Sequence, residues 1–292
     1  MNIGILTRNK NAWCSSRLRE AFTRREVTPV CLKFQDLVGR VAADSRVTVK
    51  KTDIRNAMGA LLVRPIGRGS LDETIFRLNL LHSISRAGLL VVNHPSSIER
   101  AADKYLTLSL LSEKGVKVPR TVVTESVPEA LRAFREFGGD AVVKPVFGSR
   151  GIGAARISNE DVADRTFRTL RFNRHILYVQ EFIQHGTRDI RAFVVGGKLV
   201  AAMFRIASSW KTNVSKGAKP TSFKGTAESE ELAIKSANTI GTEIAGVDLM
   251  ESRDGLLVTE VNSQPGWRGL QSTTQADIAG EIADFVISKA KR

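Results

Sequence analysis

The sequence predicts an α/β layer at the N-terminus followed by two α+β lobes, and three observations carry that expectation. Short apolar runs alternate with amphipathic stretches through the first hundred residues, as in a parallel sheet with crossover helices. After Gly138-Gly139 the texture changes to closely spaced strand-like runs. Gly196-Gly197 then separates two apolar runs, 190–195 and 198–205, as a two-residue hairpin turn does. A chain of 292 residues has room for two or three domains.

Taken in order, Ile3-Gly4-Ile5-Leu6, Val30-Cys31-Leu32, Ala60-Leu61-Leu62-Val63 and Leu89-Leu90-Val91-Val92-Asn93 read as strands. Residues 15–26 and 71–87 read as helices; Ile75, Leu78 and His82 recur at i, i+3 and i+7. His94-Pro95-Ser96-Ser97 breaks the pattern and marks a boundary. Helices follow over 103–114, stopped by Gly115 and Pro119, and over 125–137. Strands are expected at 141–145, 153–157 and 177–182, then the 190–205 hairpin. A helix over 229–244, strands over 246–250 and 256–261 and a helix over 276–291 complete the chain.

Composition narrows the function classes. With 42% apolar and 25% charged residues the chain is globular. No apolar run approaches the roughly 20 residues of a membrane span, and the charged opening argues against a signal peptide. Cys14 and Cys31 form no C-x-x-C, so a reducing, cytoplasmic setting is the expectation. The four histidines lack the i, i+4 spacing of a helical zinc site. Lys and Arg number 44 against 30 Asp and Glu, a net +14, and residues 1–100 hold 17 against 8. That bias suits an anionic partner or a solvated basic surface. A nucleic-acid-binding protein is the rival class, but no helix-turn-helix, RNA-recognition or finger motif occurs and aromatics are 6%.

Three groups of residues carry candidate chemistry. Lys144 ends a β-branched strand and is followed by Gly148-Ser149-Arg150-Gly151-Ile152-Gly153. Such a loop can close backbone N–H groups on phosphate oxygens while the lysine neutralises them; an ordinary β-turn is the plainer alternative. It is neither a Walker A loop nor a dinucleotide fingerprint. Nor is it a kinase loop, because the glycines follow the lysine and no Asp-Phe-Gly occurs. Second, Glu260 and Asn262 are two apart and share a strand face. Pairing across the Asp254-Gly255 turn brings Asp248 beside them, an oxygen-rich set suited to Mg²⁺. Val258 is the apolar exception on that face, and a solvated polar face is the alternative. Third, Asp189 and Arg191 share a face, for which a salt bridge between them is the default. Arg205 ends its strand where it can reach a phosphoryl or carboxylate group.

These parts follow one another in a recognisable order. They comprise Asn93-x-Pro95-x-x-Ile98-x-x-x-x-Asp103-Lys104, Val143-Lys144-Pro145-x-x-Gly148-Ser149-x-Gly151-x-Gly153, Asp189-Ile190-Arg191-x-Phe193-Val194-Val195-Gly196-Gly197, Ala245-Gly246-Val247-Asp248-Leu249 and Glu260-Val261-Asn262-Ser263-x-Pro265-Gly266. On these motifs the chain resembles the ATP-grasp superfamily, in particular its RimK-like branch of α-L-glutamate ligases. Residues 64–71 and 99–105 look most like ligases that add glutamate to tetrahydromethanopterin. After Pro265-Gly266, Trp267-Arg268 stands where the ribosomal-protein-modifying members tend to carry an acidic residue.

The resemblance implies an ATP-grasp fold, with a Rossmann-like α/β domain over 1–94, a central lobe over 95–180 and a C-terminal lobe over 181–292. ATP would lie between the last two. It implies ATP-dependent ligation of L-glutamate to an anionic acceptor through an acylphosphate. The acceptor would be a tetrahydromethanopterin-type carrier; a ribosomal protein tail, a deazaflavin or furan cofactor and an amino-group carrier protein are the alternatives. Lys104 and Lys144 would hold the α- and β-phosphates, with Gly148, Ser149, Gly151 and Gly153 as a lid. Gln180 and Glu181 would meet the adenine or ribose, with Asp189 also on the nucleotide side. Asp248, Glu260 and Asn262 would carry two Mg²⁺ ions, or Mn²⁺ in their place. Arg205 and Asn213 would neutralise the transferring phosphoryl group. Arg64, Arg68, Arg191 and Arg268 are candidates for gripping substrate carboxylates, Arg64 and Arg68 from charge and loop position alone. A homo-oligomer stays open.

Overall fold

The computed structural model describes residues 1–44, 46–67, 69–148 and 151–291. The sequence-predicted sites Arg68 and Ser149 lie outside them.

The N-terminal layer runs β1 (Asn2–Leu6), α1 (Trp13–Thr23), β2 (Thr28–Leu32), a ribbon of β3 (Leu37–Gly39), β4 (Val47–Val49) and β5 (Thr52–Asp53), then α2 (Ile54–Ala57), β6 (Ala60–Val63), α3 (Leu71–Arg86) and β7 (Leu90–Val92). Its main sheet is parallel, ordered β2-β1-β6-β7. Ile3, Ile5, Leu61 and Leu62 are buried, as expected of strands covered on both faces. Ser70 and Glu73 form a capping box at the start of α3, satisfying N–H groups that the helix itself cannot.

His94 caps α4 (Pro95–Ala102) and Asp103 caps α5 (Lys104–Glu113). The central lobe expected from residue 95 would include both helices. α5 packs with the C-terminal part, where Leu108 and Leu111 join the apolar cluster of Ala233, Ala237 and Val258, while α4 packs on α3 and places Ile98 in the N-terminal core. The central sheet begins at β8 (Thr121–Thr124) and continues through α6 (Val127–Glu136), β9 (Ala141–Val143), β10 (Ala155–Ile157), α7 (Glu160–Phe172) and β11 (Leu177–Glu181). Its strands are antiparallel, ordered β10-β9-β11-β8. α6 and α7 cover one face with Phe134 and Phe167. Hydrophobic periodicity does not predict α7.

The C-terminal part holds β12 (Arg188–Val195), β13 (Lys198–Ile206), β14 (Lys219–Phe223), α8 (Ala227–Ile240), β15 (Ile244–Ser252), β16 (Gly255–Asn262), α9 (Arg268–Gln271) and α10 (Ile278–Ala290). The sheet is antiparallel, ordered β14-β13-β12-β15-β16. The β12–β13 turn is Gly196-Gly197, with φ of +57° and +79°, a left-handed pair that glycine adopts without penalty. Alternation divides β12 between two cores. Ile190, Ala192 and Val194 pack in the cluster with α8, while Phe193 and Val195 pack with α1, α10 and Trp267. Arg191 and Asp189 continue the second face towards the cleft.

Two devices join the N-terminal layer to this sheet. α10 packs on α1, and Arg25 holds Asp284 through two hydrogen bonds of 2.6 Å. Buried Asn93 receives the N–H groups of Glu243 and Ile244, each at 2.9 Å, and donates to the carbonyls of Ile244 and Ser263. That amide therefore has all its polar capacity used at the point where three segments meet. Among the described residues no helix is long and apolar enough to cross a membrane.

Candidate active site

The central and C-terminal sheets face one another across a cleft. Its lining includes Lys104, Lys144, Gly148, Gly151, Gln180, Glu181, Asp189, Arg205, Asn213, Asp248 and Glu260, so most of the sequence-predicted site converges there. The carboxylates follow from strand register. Asp248 on β15 stands opposite Glu260 on β16, and Gly246 stands opposite Asn262. A bulge after Asp248 then pairs Leu249 with Val258. The extra residue turns Val258 to the α8 side, where it is fully buried. The bulge therefore removes the apolar exception that strict alternation predicts on the acidic face.

The arginines and aspartates do not pair along their own strand. Asp189 faces Arg205 across β12 and β13, and the guanidinium donates to both carboxylate oxygens at 2.6 and 2.5 Å. Thr212 donates to the same carboxylate at 2.5 Å. Arg205 also lies 3.1 Å from Asp248 Oδ2. Burial alone works against the Arg205 charge, yet Asp248 and Asp189 outweigh it and hold the guanidinium above its ordinary range. Asp189, expected beside the nucleotide, thus serves first as the clamp that orients Arg205.

Arg191 places Nε 2.9 Å from Asp248 Oδ1, and burial lowers its pKa against the pull of that carboxylate. Its Nη1 passes over Gly246, where a Cβ would overlap Arg191 and crowd Pro265. Glycine is needed at 246 for that close approach. Arg191 is not part of the cleft lining; it braces Asp248 from behind.

Lys144 donates to Gln180 Oε1 at 3.0 Å and sits 5.1 Å from the centre of the Tyr178 ring. Burial pushes its ammonium down to about 8, with Glu260 opposing and Lys104 reinforcing the shift. Lys104 donates to the carbonyl of Gly148 at 2.7 Å and so reaches the glycine loop. Gly151 has φ of +65° and lies against Asn213, whose Oδ1 a Cβ would overlap. Gly153, with φ of +81°, packs on Pro145. Glu181 is held by Arg120, which donates to it from the backbone at 2.8 Å and from Nε at 2.7 Å.

Asp248, Glu260 and Asn262 suit a hard divalent cation. Asp248 Oδ1 is buried and accepts no hydrogen bond, although Arg191 lies near it. Asn262 donates its Nδ2 to the Gly246 carbonyl at 3.3 Å, leaving Oδ1 as an acceptor. The donors are all oxygen, the preference of Mg²⁺. Asn262 lies two register pairs beyond Glu260, outside the cleft lining. Among the described residues no cluster of three or more His, Cys, Asp and Glu is placed to hold a metal, so the candidate set is two carboxylates and an amide.

Among the substrate candidates, the structure buries Arg64. Arg64 is 6% exposed, donates to the Pro265 carbonyl at 2.8 Å and lies 4.8 Å from the Trp267 ring centre. Burial depresses its pKa. It ties β6 to the loop after β16. Arg268 is exposed at the start of α9. Residues the motif reading passed over include Thr212, His185 and Lys211, which donates to the Ala154 carbonyl across the cleft at 2.7 Å.

This architecture has close counterparts among solved structures. An ATP-grasp ligase, PsnB, complexed with a minimal precursor, Mg and ADP superposes with a TM-score of 0.76 at 19% identity, covering 100% of this chain and 98% of that one. The likeness defines the class as the ATP-grasp fold. The RimK-like ATP-grasp domain matches residues 101–286. A tetrahydromethanopterin:α-L-glutamate ligase of Methanocaldococcus jannaschii is 35% identical over 298 residues, covering 100% of each chain. A probable α-L-glutamate ligase of Hahella chejuensis is 33% identical, over 100% of this chain and 96% of its own. The chain belongs to the RimK-like ATP-grasp family and is a ligase that forms carbon–nitrogen bonds.

Proposed function

We propose that the protein uses ATP and Mg²⁺ to join L-glutamate to the terminal carboxylate of an acidic acceptor, through an acylphosphate, and that the acceptor is a tetrahydromethanopterin-type carrier. The observation that carries the reading is one cleft in which Lys104, Lys144 and Arg205 stand with the register pair Asp248 and Glu260. Full-length similarity to a tetrahydromethanopterin:α-L-glutamate ligase supports the acceptor.

A free carboxylate is a poor electrophile, and phosphorylation turns one of its oxygens into part of a leaving group. An acceptor oxygen attacks the γ-phosphorus of ATP, and ADP departs. The amine of glutamate then attacks the acyl carbon, and phosphate leaves with that oxygen. The protein's part is positioning and charge neutralisation. Lys104 and Lys144 offer ammonium groups to phosphate oxygens beside the glycine loop. Arg205, fixed by Asp189, presents a guanidinium of defined orientation to the transferring phosphoryl group. Asn213, against Gly151, couples loop closure to that point. Asp248, Glu260 and Asn262 would hold Mg²⁺, which when bound neutralises phosphate charge and polarises the phosphoryl group. Arg268 remains the exposed candidate for a substrate carboxylate.

A peptide acceptor is the second reading, favoured by the precursor complexes of PsnB. Both are tested by ADP release with Mg²⁺ and L-glutamate, using a panel of a tetrahydromethanopterin, deazaflavin and furan cofactor precursors, and a glutamate-ended peptide, with product masses read. One acceptor should gain glutamyl mass, and Glu260→Ala should abolish the gain. ATP binding without a glutamyl product on any acceptor would reject this proposal.

A further inference from the structure

The basic bias of residues 1–100, 17 Lys and Arg against 8 Asp and Glu, is not used by the cleft. Lys104, Lys144 and Arg205 all lie beyond residue 100, and Arg64 braces a junction. Part of the bias falls at a defined place in the fold. From β1 the chain passes through α1 to β2 on one side, and from β6 it passes through α3 to β7 on the other. α1 packs Leu18 and Phe22 on one face of the sheet, and α3 packs Leu81 and Ile84 on the opposite face. The loops leaving β1 and β6 therefore diverge. A crevice outside the carboxyl ends of two such strands is where open parallel sheets take their ligands.

Arg8 stands in that opening. It is exposed in the loop after β1, and its stem lies against Gly67 in the loop after β6, where a Cβ would overlap Arg8 Cδ. Glycine at 67, with φ of +91°, leaves room for this approach. Lys10, also exposed, is near enough to Cys31 on β2 to oppose the rise that burial gives the thiol. The loop that carries both cations is held in shape. Thr7 Oγ1 lies 2.9 Å from Ser15 Oγ, and Asn9 Oδ1 accepts the Asn11 N–H at 2.9 Å. Among the described residues neither the Arg8 nor the Lys10 side chain has a hydrogen-bond or ion-pair partner. The carboxylates at the start of α3 are engaged: Glu73 pairs with Arg77 at 2.8 Å, and Asp72 accepts from Ser70.

The same opening borders the strand that carries the acidic set. Arg64, at the end of β6, donates to the Pro265 carbonyl, and the Ile66 N–H donates to Gln264 Oε1 at 3.3 Å. Gln264 and Pro265 follow closely on β16, the strand of Glu260 and Asn262. Two unpaired cations in a ligand-taking crevice call for an anion. A molecule that meets them and also presents a carboxylate beside β16 carries at least two separated anionic groups.

Resting on the ligase reading above, we propose that Arg8, with Lys10, anchors a second anionic group of the acceptor, a phosphate or a carboxylate remote from the carboxylate that is ligated. The pair binds and positions the acceptor and takes no part in bond formation.

The test is steady-state ligation by the full-length protein, using the panel acceptor that gains glutamyl mass. The wild type is compared with the double variant Arg8→Gln, Lys10→Gln and with a control, Lys50→Gln, Lys51→Gln, which removes two exposed charges from the β4–β5 turn of the same layer. Acceptor KM should rise about tenfold in the Arg8, Lys10 variant, with kcat, the KM for ATP and the melting temperature unchanged. The control should keep acceptor KM within about twofold of the wild type. Inorganic phosphate and glutarate are then added as inhibitors. The anion that competes with the acceptor in the wild type, and loses that competition in the Arg8, Lys10 variant, identifies the anchored group as phosphate or carboxylate. An unchanged acceptor KM in that variant, an equal rise in the control, or competition by neither anion that depends on the pair overturns the inference and leaves the ligase reading standing. If no acceptor gains glutamyl mass, the ligase reading falls and this inference with it.

Discussion

Arg205 and Arg64 are both buried arginines, and their surroundings treat the charge in opposite ways. Arg205 is held by the Asp189 carboxylate and approached by Asp248, so its charge is reinforced within a polar cleft. Arg64 meets a carbonyl and an indole face, and burial depresses it. A buried cation kept charged by carboxylates that also face a cavity is poised for an incoming anion. One surrounded by neutral partners is bracing a junction between segments. Positive charge in the sequence does not distinguish the two; the partners across the strands do.

Substitution by lysine separates the roles most sharply. Arg205→Lys keeps a charge but not the fork that spans Asp189, and turnover should fall about 10²–10³-fold in an ADP-release assay. Turnover kept within about threefold would make Arg205 as structural as Arg64. Arg64→Lys should leave turnover within that range and lower unfolding free energy by about 1–3 kcal/mol, because the Pro265 carbonyl loses its donor. A raised acceptor KM at unchanged stability would return Arg64 to the acceptor site.

A smaller effect concerns Lys144, whose charge is held less firmly than that of Arg205. With its pKa near 8 in the free protein, the ammonium form that favours phosphate is present below pH 8 and is lost above it. Nucleotide affinity should therefore be level below pH 8 and weaken as pH rises, by up to about tenfold per unit. Lys144→Arg should flatten the profile to pH 10, read by titration calorimetry. The same slope in Lys144→Arg would assign the titration to another group.

Much of this cleft was legible in the sequence because strand periodicity is local. Glu260 and Asn262 fall on one face by counting, and a tight turn brings Asp248 opposite. Which arginine meets which aspartate was not legible. Asp189 and Arg191 look like a pair, but register joins Asp189 to Arg205 and Arg191 to Asp248, and register is a tertiary property. The bulge after Asp248 leaves no mark in the composition. α7 escapes periodicity because Ala163 and Phe167 are its only buried residues in a charged run. Asn159 and the acidic first turn were the available signal. The β3-β4-β5 ribbon has strands of two or three residues, too short for alternation to register. His185 and Thr212 lie in connecting segments, where a lone polar residue carries no period at all.

The acylphosphate is the central claim, and oxygen tracing tests it directly. The acceptor would carry ¹⁸O in both oxygens of its terminal carboxylate, and the phosphate released during ligation would be analysed by mass. Transfer of one ¹⁸O atom to phosphate for each amide bond formed is the predicted result. Unlabelled phosphate beside a ligated product, with the displaced ¹⁸O recovered in water or in another leaving group, would contradict it, because that carboxylate oxygen would never have been bonded to the phosphorus released as phosphate.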